Sequence, residues 1–205
     1  MITTLITGFI GALLGGFIAL GFDAFKEARR RKLEQQGAIL RAQLALIGQF
    51  NTVNNLKDQF LDEVREDPAR AQKLIHFKMQ DANLRVDYGS LAFLLTDHAQ
   101  FVLEIHSAEQ SYLAAMDALN SRNEAFDKLH ENSTLEKMDH TGRCTVLADP
   151  RHMKLLQDTT DGLYTSVDKA RERLASQFTE LRAIGKKLYP NVNFPKAGEK
   201  PRAIP

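Results

Sequence analysis

The chain has 205 residues, a net charge of +1 and a mean hydropathy of −0.31: enough for one sizeable core, without the basic balance that general nucleic-acid binding demands. Its single cysteine, Cys144, excludes an intramolecular disulfide and suits a reducing compartment. Gly-rich phosphate loops, Gly-x-Ser-x-Gly elbows, His-Glu-x-x-His and Cys-x-x-Cys are all missing from the sequence, so the expectation is a non-enzyme with no cofactor, no metal and no nucleic-acid partner.

Residues 2–22 form a run of 21 without a charge. As a helix they would span about 31 Å, the thickness of a bilayer's hydrocarbon core. A cleaved signal peptide would need a basic start and a small-x-small cleavage site, and the chain opens Met1-Ile2-Thr3-Thr4 instead. The expectation is an uncleaved transmembrane anchor over residues 1–22. Gly11 and Gly15 make a Gly-x-x-x-Gly pair, extended by Gly8, Ala12, Gly16 and Ala19. Such small residues let two helices approach closely in lipid and point to a homo-oligomer. No Lys or Arg precedes the run, whereas Lys26, Arg29, Arg30, Arg31 and Lys32 follow it. The positive-inside bias then puts the N-terminus outside and the remainder in the cytoplasm, with those five cations against anionic headgroups.

Only Pro68 and Pro150 interrupt the chain between the anchor and Tyr189, and good helix formers dominate. The expected fold is therefore all-α: a transmembrane helix continuing into a three- to four-helix antiparallel bundle with coiled-coil character. A stalk helix over 23–66 carries Ile39, Leu46, Phe50, Val53, Phe60 and Val64 on one face, widened by Leu40, Leu44 and Ile47. Asp67-Pro68 reads as a cap and first turn of a short helix through Leu74, Ile75 and Phe77. This opens a bundle domain over 67–189. Leu91, Leu94 and Leu95 should plug one end of it. Thr96-Asp97 should then cap a helix to about Met138, with Ile105, Tyr112, Leu119 and Phe126 at steps of seven beside Phe101, Ala108 and Ala115. A loop over 140–149 follows, then a second cap at Asp149-Pro150. Leu156, Thr160, Leu163, Val167, Ala170, Leu174, Gln177, Leu181, Ile184 and Leu188 alternate steps of four and three. They form a seam in which Thr160 and Gln177 are the polar positions that would set register. Residues 190–205, with four of the six prolines, should be an extended or disordered tail.

Three constellations carry possible chemistry. Arg70 and His76 match the Arg-x5-His spacing and resemble the catalytic pair of HEPN-type ribonucleases, small helical enzymes in which both side chains engage the scissile phosphate. About one such match arises by chance in a chain of this composition, and Ala71 stands where that family usually has a polar residue. Asp139, His140 and Cys144, with His152, cluster as a zinc site would, but lack the paired Cys/His spacing that structural zinc needs. His106 and Glu109 stand at i, i+3 on one helix and, without a matching pair elsewhere, read as a surface polar pair.

The run Val86-Asp87-Tyr88-Gly89-Ser90-Leu91-Ala92-Phe93-Leu94-Leu95, followed by Ala108-Glu109-Gln110 and Ser121-Arg122-Asn123-Glu124, resembles a group of uncharacterised bacterial single-pass membrane proteins with a helical cytoplasmic part. The resemblance covers residues 85–125. It implies a bacterial inner-membrane location and transfers no catalytic residue. The functional expectation is a membrane-tethered, oligomeric, non-catalytic scaffold or adaptor that contacts lipid and a cytoplasmic protein. The alternative is a conditional membrane effector that forms a leak, as in phage defence; a HEPN-like ribonuclease using Arg70 and His76 comes third.

Overall fold

A computed structural model describes the backbone of residues 2–79, 84–138, 144–147 and 149–195, and the side chains of 21–79, 84–133 and 149–195. Helix α1 runs unbroken over Ile2–Leu56. It does not continue to Glu66 as the periodicity predicts. A π turn over Lys57–Leu61 and a 3-10 turn over Asp62–Val64 unwind it, and the Leu61 carbonyl accepts from Tyr164 Oη at 2.9 Å, outside the helix ladder. Asp67 does cap, accepting from the Ala69 amide at 2.8 Å, yet helix α2 is a single turn, Arg70–Lys73. Its end is set from a distance. The Arg122 guanidinium, 51 positions away from Ala71, takes the carbonyls of Ala71, Leu74 and Ile75 and lets the chain leave the helix at Leu74.

Residues 74–79 and 84–91 are irregular and make up a strap, and a 3-10 turn after it, Ala92–Leu94, feeds directly into α3, Leu95–Glu131. Thr96 and Asp97 lie in its first turn, the helix breaks at His98 (φ −138°, ψ 35°) directly after that expected start, and no side chain caps it at Leu94. Leu91 and Leu94 are buried as expected, whereas Leu95 is exposed. Helix α3 stops short of Met138 because Asn132 and Ser133 bond back to the Lys128 and His130 carbonyls. In place of helix and loop there is a two-stranded antiparallel hairpin, β1 (Thr134–Met138) and β2 (Cys144–Leu147), with a bulge between Leu135 and Lys137. Helix α4, Pro150–Leu188, starts where the sequence predicts: Asp149 accepts from the Arg151 amide at 2.8 Å, with Pro150 at the first position.

Helix α4 lies antiparallel to both α1 and α3. Tyr189 meets Gln35, Arg171 meets Asn54 and Tyr164 meets Leu61 along one side; Arg173 meets Ser107 on another. The core fills the space between the three long helices. Leu163, Val167, Leu174 and Leu181 are completely buried within the chain, against Ile39, Leu46 and Val53 of α1 and Ile105, Ala108, Tyr112 and Ala115 of α3, while Leu156 is buried in a separate cluster with Ala71, Ala125 and Leu129. One seam position departs from expectation. Leu188 is exposed, because the helix ends there and Tyr189 and Phe194 close the core instead. Thr160 is buried in the seam as expected, its hydroxyl bonding the Leu156 carbonyl one turn back. Leu44, expected on the buried face of α1, is 58% exposed. The start of the tail is also packed: Phe194 is 1% exposed and its ring touches the Gly185 backbone, where a Cβ would lie 3.0 Å from Cζ. Residues 196–205 of the tail lie outside the described residues, as do the anchor side chains of 2–20. Among the described residues no helix is long and apolar enough to cross a membrane.

Candidate functional site

Residues 21–34 of α1 stand clear of the bundle. Every side chain there except Glu27 is exposed, including Phe22 (63%), Phe25 (68%) and Leu33 (59%). Packing begins at Gln35, whose Oε1 accepts from Tyr189 Oη at 2.7 Å. The five predicted headgroup cations all fall on this free segment but are not equivalent. Arg31 Nε holds Glu27 at 3.1 Å, and Arg30 reaches Glu27 at 3.2 Å and Glu34 at 3.6 Å. The hydrogen bond from Arg31 leads the effects that keep the Glu27 carboxyl below its ordinary value. For Lys26, Arg29 and Lys32 no carboxylate lies within ion-pair reach among the described residues. Arg31 and Lys32 also line an open groove of about 570 Å³ beside Ala24, Glu27, Ala28, Gln35 and Tyr189. Such a collar attracts an anionic surface by about 1 kcal/mol per cation close to it, in a salt-dependent way.

The strap before α3 is held by two buried charges that periodicity did not single out as buried. Glu109 is no surface partner of His106. It is 5% exposed, and its Oε1 accepts from Gln49 Nε2 at 2.9 Å and from the Val86 amide at 3.0 Å. Its Oε2 accepts from Tyr88 Oη at 2.8 Å. Burial, then the bond to Glu109, pushes the Tyr88 phenol above its ordinary value. His106 lies edge-on to the Tyr88 ring. Arg122 is wholly buried over the Phe126 ring, and burial lowers its guanidinium to about 10. Negative charge thus collects N–H and O–H donors at one end of the strap, and positive charge collects carbonyls at the other. A signal was available: Phe101, Ala108 and Ala115 extended by seven gives Arg122, and Val102 extended by seven gives Glu109.

Arg70 and His76 are engaged separately. Arg70 Nη2 lies 2.8 Å from Asp161 on α4, while His76 Nδ1 lies 2.8 Å from Asp127 on α3. Close by, Asp168 receives Arg65 through both terminal guanidinium nitrogens at 3.0 Å and Lys57 at 3.2 Å. Burial pushes the Asp168 carboxyl up, but these hydrogen bonds outweigh it and leave the group below its ordinary value. Of the loop residues weighed against a zinc site, Asp139 and His140 lie outside the described residues and Cys144 is described by backbone alone. Among the described residues no three His, Cys, Asp or Glu side chains are gathered as a metal site requires. Comparison with protein-family models, with curated proteins and with solved structures returned no match.

Proposed function

We propose that this chain is an oligomeric, non-catalytic scaffold or adaptor tethered to the bacterial inner membrane, its N-terminus outside and its helical bundle in the cytoplasm. The continuity of α1 carries the reading. One helix, Ile2–Leu56, contains the uncharged run, then the free basic collar, then the face that builds the bundle core. A helix without a break transmits position rigidly, so a bundle on such a rod stands at a fixed distance from the lipid surface. Association through Gly8, Gly11, Ala12, Gly15, Gly16 and Ala19 would bring several bundles together, leaving the exposed faces of α3 and α4 for a cytoplasmic partner.

The test is the mass of the full chain in mild detergent. Gly11→Ile with Gly15→Ile should reduce an oligomer to a monomer while the far-ultraviolet circular dichroism stays unchanged. An unaltered mass would remove the membrane helix from assembly. The same continuity favours a second reading, a conditional effector in which an event at the bundle shifts the membrane segment and opens a leak. It predicts depolarisation on expression or triggering, and a steady potential under both conditions would eliminate it.

A further inference from the structure

We propose that the groove between α3 and α4, on the side of α4 away from α1, binds a phosphate monoester. Arg171 and Asp168 mark the side of α4 that meets α1, through Asn54 and Lys57. On the other side Ser107, Gln110, Ser111 and Ala114 of α3 face Ser166, Lys169 and Arg173 of α4 across an opening of about 280 Å³. The spacing explains the convergence. Ser107 and Ser111 are one turn apart, and Ser166, Lys169 and Arg173 stand at i, i+3 and i+7, so each set shares a helix face.

The groove is built around the arginine. Arg173 Nη1 donates to Ser107 Oγ at 2.9 Å and to Ser111 Oγ at 3.1 Å. Ser111 is 7% exposed and spends its own proton on the Ser107 carbonyl at 2.9 Å, so its oxygen is held in place as an acceptor. Two hydroxyls therefore orient the guanidinium through one nitrogen, and among the described residues no carboxylate lies in ion-pair reach of Arg173 or Lys169. Lys169 and Arg173, four residues apart on one face, repel each other, and a bound anion relieves that repulsion. A planar guanidinium fork beside the Lys169 ammonium and the Ser166 hydroxyl matches the several oxygens of a phosphate better than the two of a carboxylate. The small side chains Ser107, Ala114 and Ser166 leave room for the organic part of an ester. The phosphate can come from a small metabolite or from a phosphorylated side chain of a partner. The site does not depend on the membrane segment, so the Gly11/Gly15 experiment can fail without touching it.

Calorimetry on the full chain in non-ionic detergent tests the proposal, with phenyl phosphate, a phosphoserine peptide and benzoate as probes. Phenyl phosphate should bind with a Kd of about 1 mM, as befits an open site. Arg173→Gln should weaken it about tenfold and Arg173→Gln with Lys169→Gln should abolish it. Ser166→Glu, which sets a carboxylate into the groove, should block binding with both cations retained. Arg171→Gln, on the opposite side of α4, should change nothing. Equal affinity for phenyl phosphate and the peptide assigns the site to a small ester; a peptide about tenfold tighter assigns it to a phosphorylated partner segment. The proposal is overturned by no heat from either phosphate at about 20 mM, well above the expected Kd. It is equally overturned by undiminished binding in the double variant, or by benzoate binding as tightly as phenyl phosphate.

Discussion

Replacing Glu109 by alanine withdraws an acceptor from three donors at once: Gln49 Nε2, the Val86 amide and Tyr88 Oη. They will not suffer equally. Gln49 keeps its bond to the Leu84 carbonyl at 2.8 Å, and Tyr88 is only half buried, so water can reach its hydroxyl. The Val86 amide belongs to a residue 5% exposed and has nothing in its place. An orphaned buried donor costs about 1–3 kcal/mol and each lost bond to a charged acceptor about 1.5–3 kcal/mol before rehydration, so the net loss should be about 3–5 kcal/mol. That is a large part of the roughly 5–15 kcal/mol available to a domain. Glu109→Gln keeps one oxygen for Gln49 and Val86 and turns the other position into a donor toward the Tyr88 hydroxyl, so it should cost only about 1 kcal/mol. Thermal unfolding followed by circular dichroism would rank the two variants. Hydrogen exchange over residues 84–91 would show whether the strap opens first, as local loss of its anchor requires. An alanine variant within about 0.5 kcal/mol of wild type, or a glutamine variant as damaged as alanine, would refute the argument that acceptor geometry holds the strap.

Gly162 lies in mid-α4 with nothing within 4 Å of where a Cβ would sit, so Gly162→Ala should raise stability by about 0.5–1 kcal/mol through backbone entropy alone, read as a higher melting temperature. Gly185 is the opposite case: a Cβ would stand 3.0–3.2 Å from Phe194 and Ile39, and the larger Gly185→Val should cost about 1–3 kcal/mol and expose residues 190–195 to protease. The depressed Asp168 pKa sets a sign for acid unfolding. Its contribution is present above the ordinary carboxylate value and lost as pH falls through the lower folded value. Asp168→Asn should therefore flatten stability in that acidic window while costing at most about 1 kcal/mol near neutrality, because the carboxylate is 43% exposed. A variant whose acid limb superimposes on wild type would show that the Arg65–Asp168–Lys57 cluster has no such role.

Much of the fold follows from features that neighbours in the chain decide among themselves. The α4 seam from Leu156 to Ile184 is written in steps of three and four because one helical face repeats at that period wherever it is buried. The Asp149-Pro150 start is legible for the same reason: cap, proline and first free amide lie within three residues. The face of Ile39, Leu46 and Val53, and that of Phe101, Ile105, Tyr112 and Leu119, belong to this class. The hairpin Thr134–Met138 with Cys144–Leu147 does not, since strands of five and four residues are too short for alternation to register.

The α3–α4 groove is a mixed case. Its residues sit at helical spacings anyone can count, yet only the packing of α3 against α4 sets Arg173 between two serines. By itself the chain's order of residues determined the helical class, the bundle-facing stripes, the proline-marked helix start and the uncharged run ahead of five cations, since each is a local pattern of period, cap or charge. Tertiary structure alone decided which remote groups Glu109 and Arg122 bond, that α2 stops after one turn, and that Phe194 rather than Leu188 closes the core. In each of these the decisive partner is remote in sequence: Val86 for Glu109, the Ala71 carbonyl for Arg122, Ile39 beside Gly185 and Phe194. Burying a charge or ending a helix depends on which donors and acceptors the fold brings within about 3 Å, and no periodicity along the chain encodes that distance.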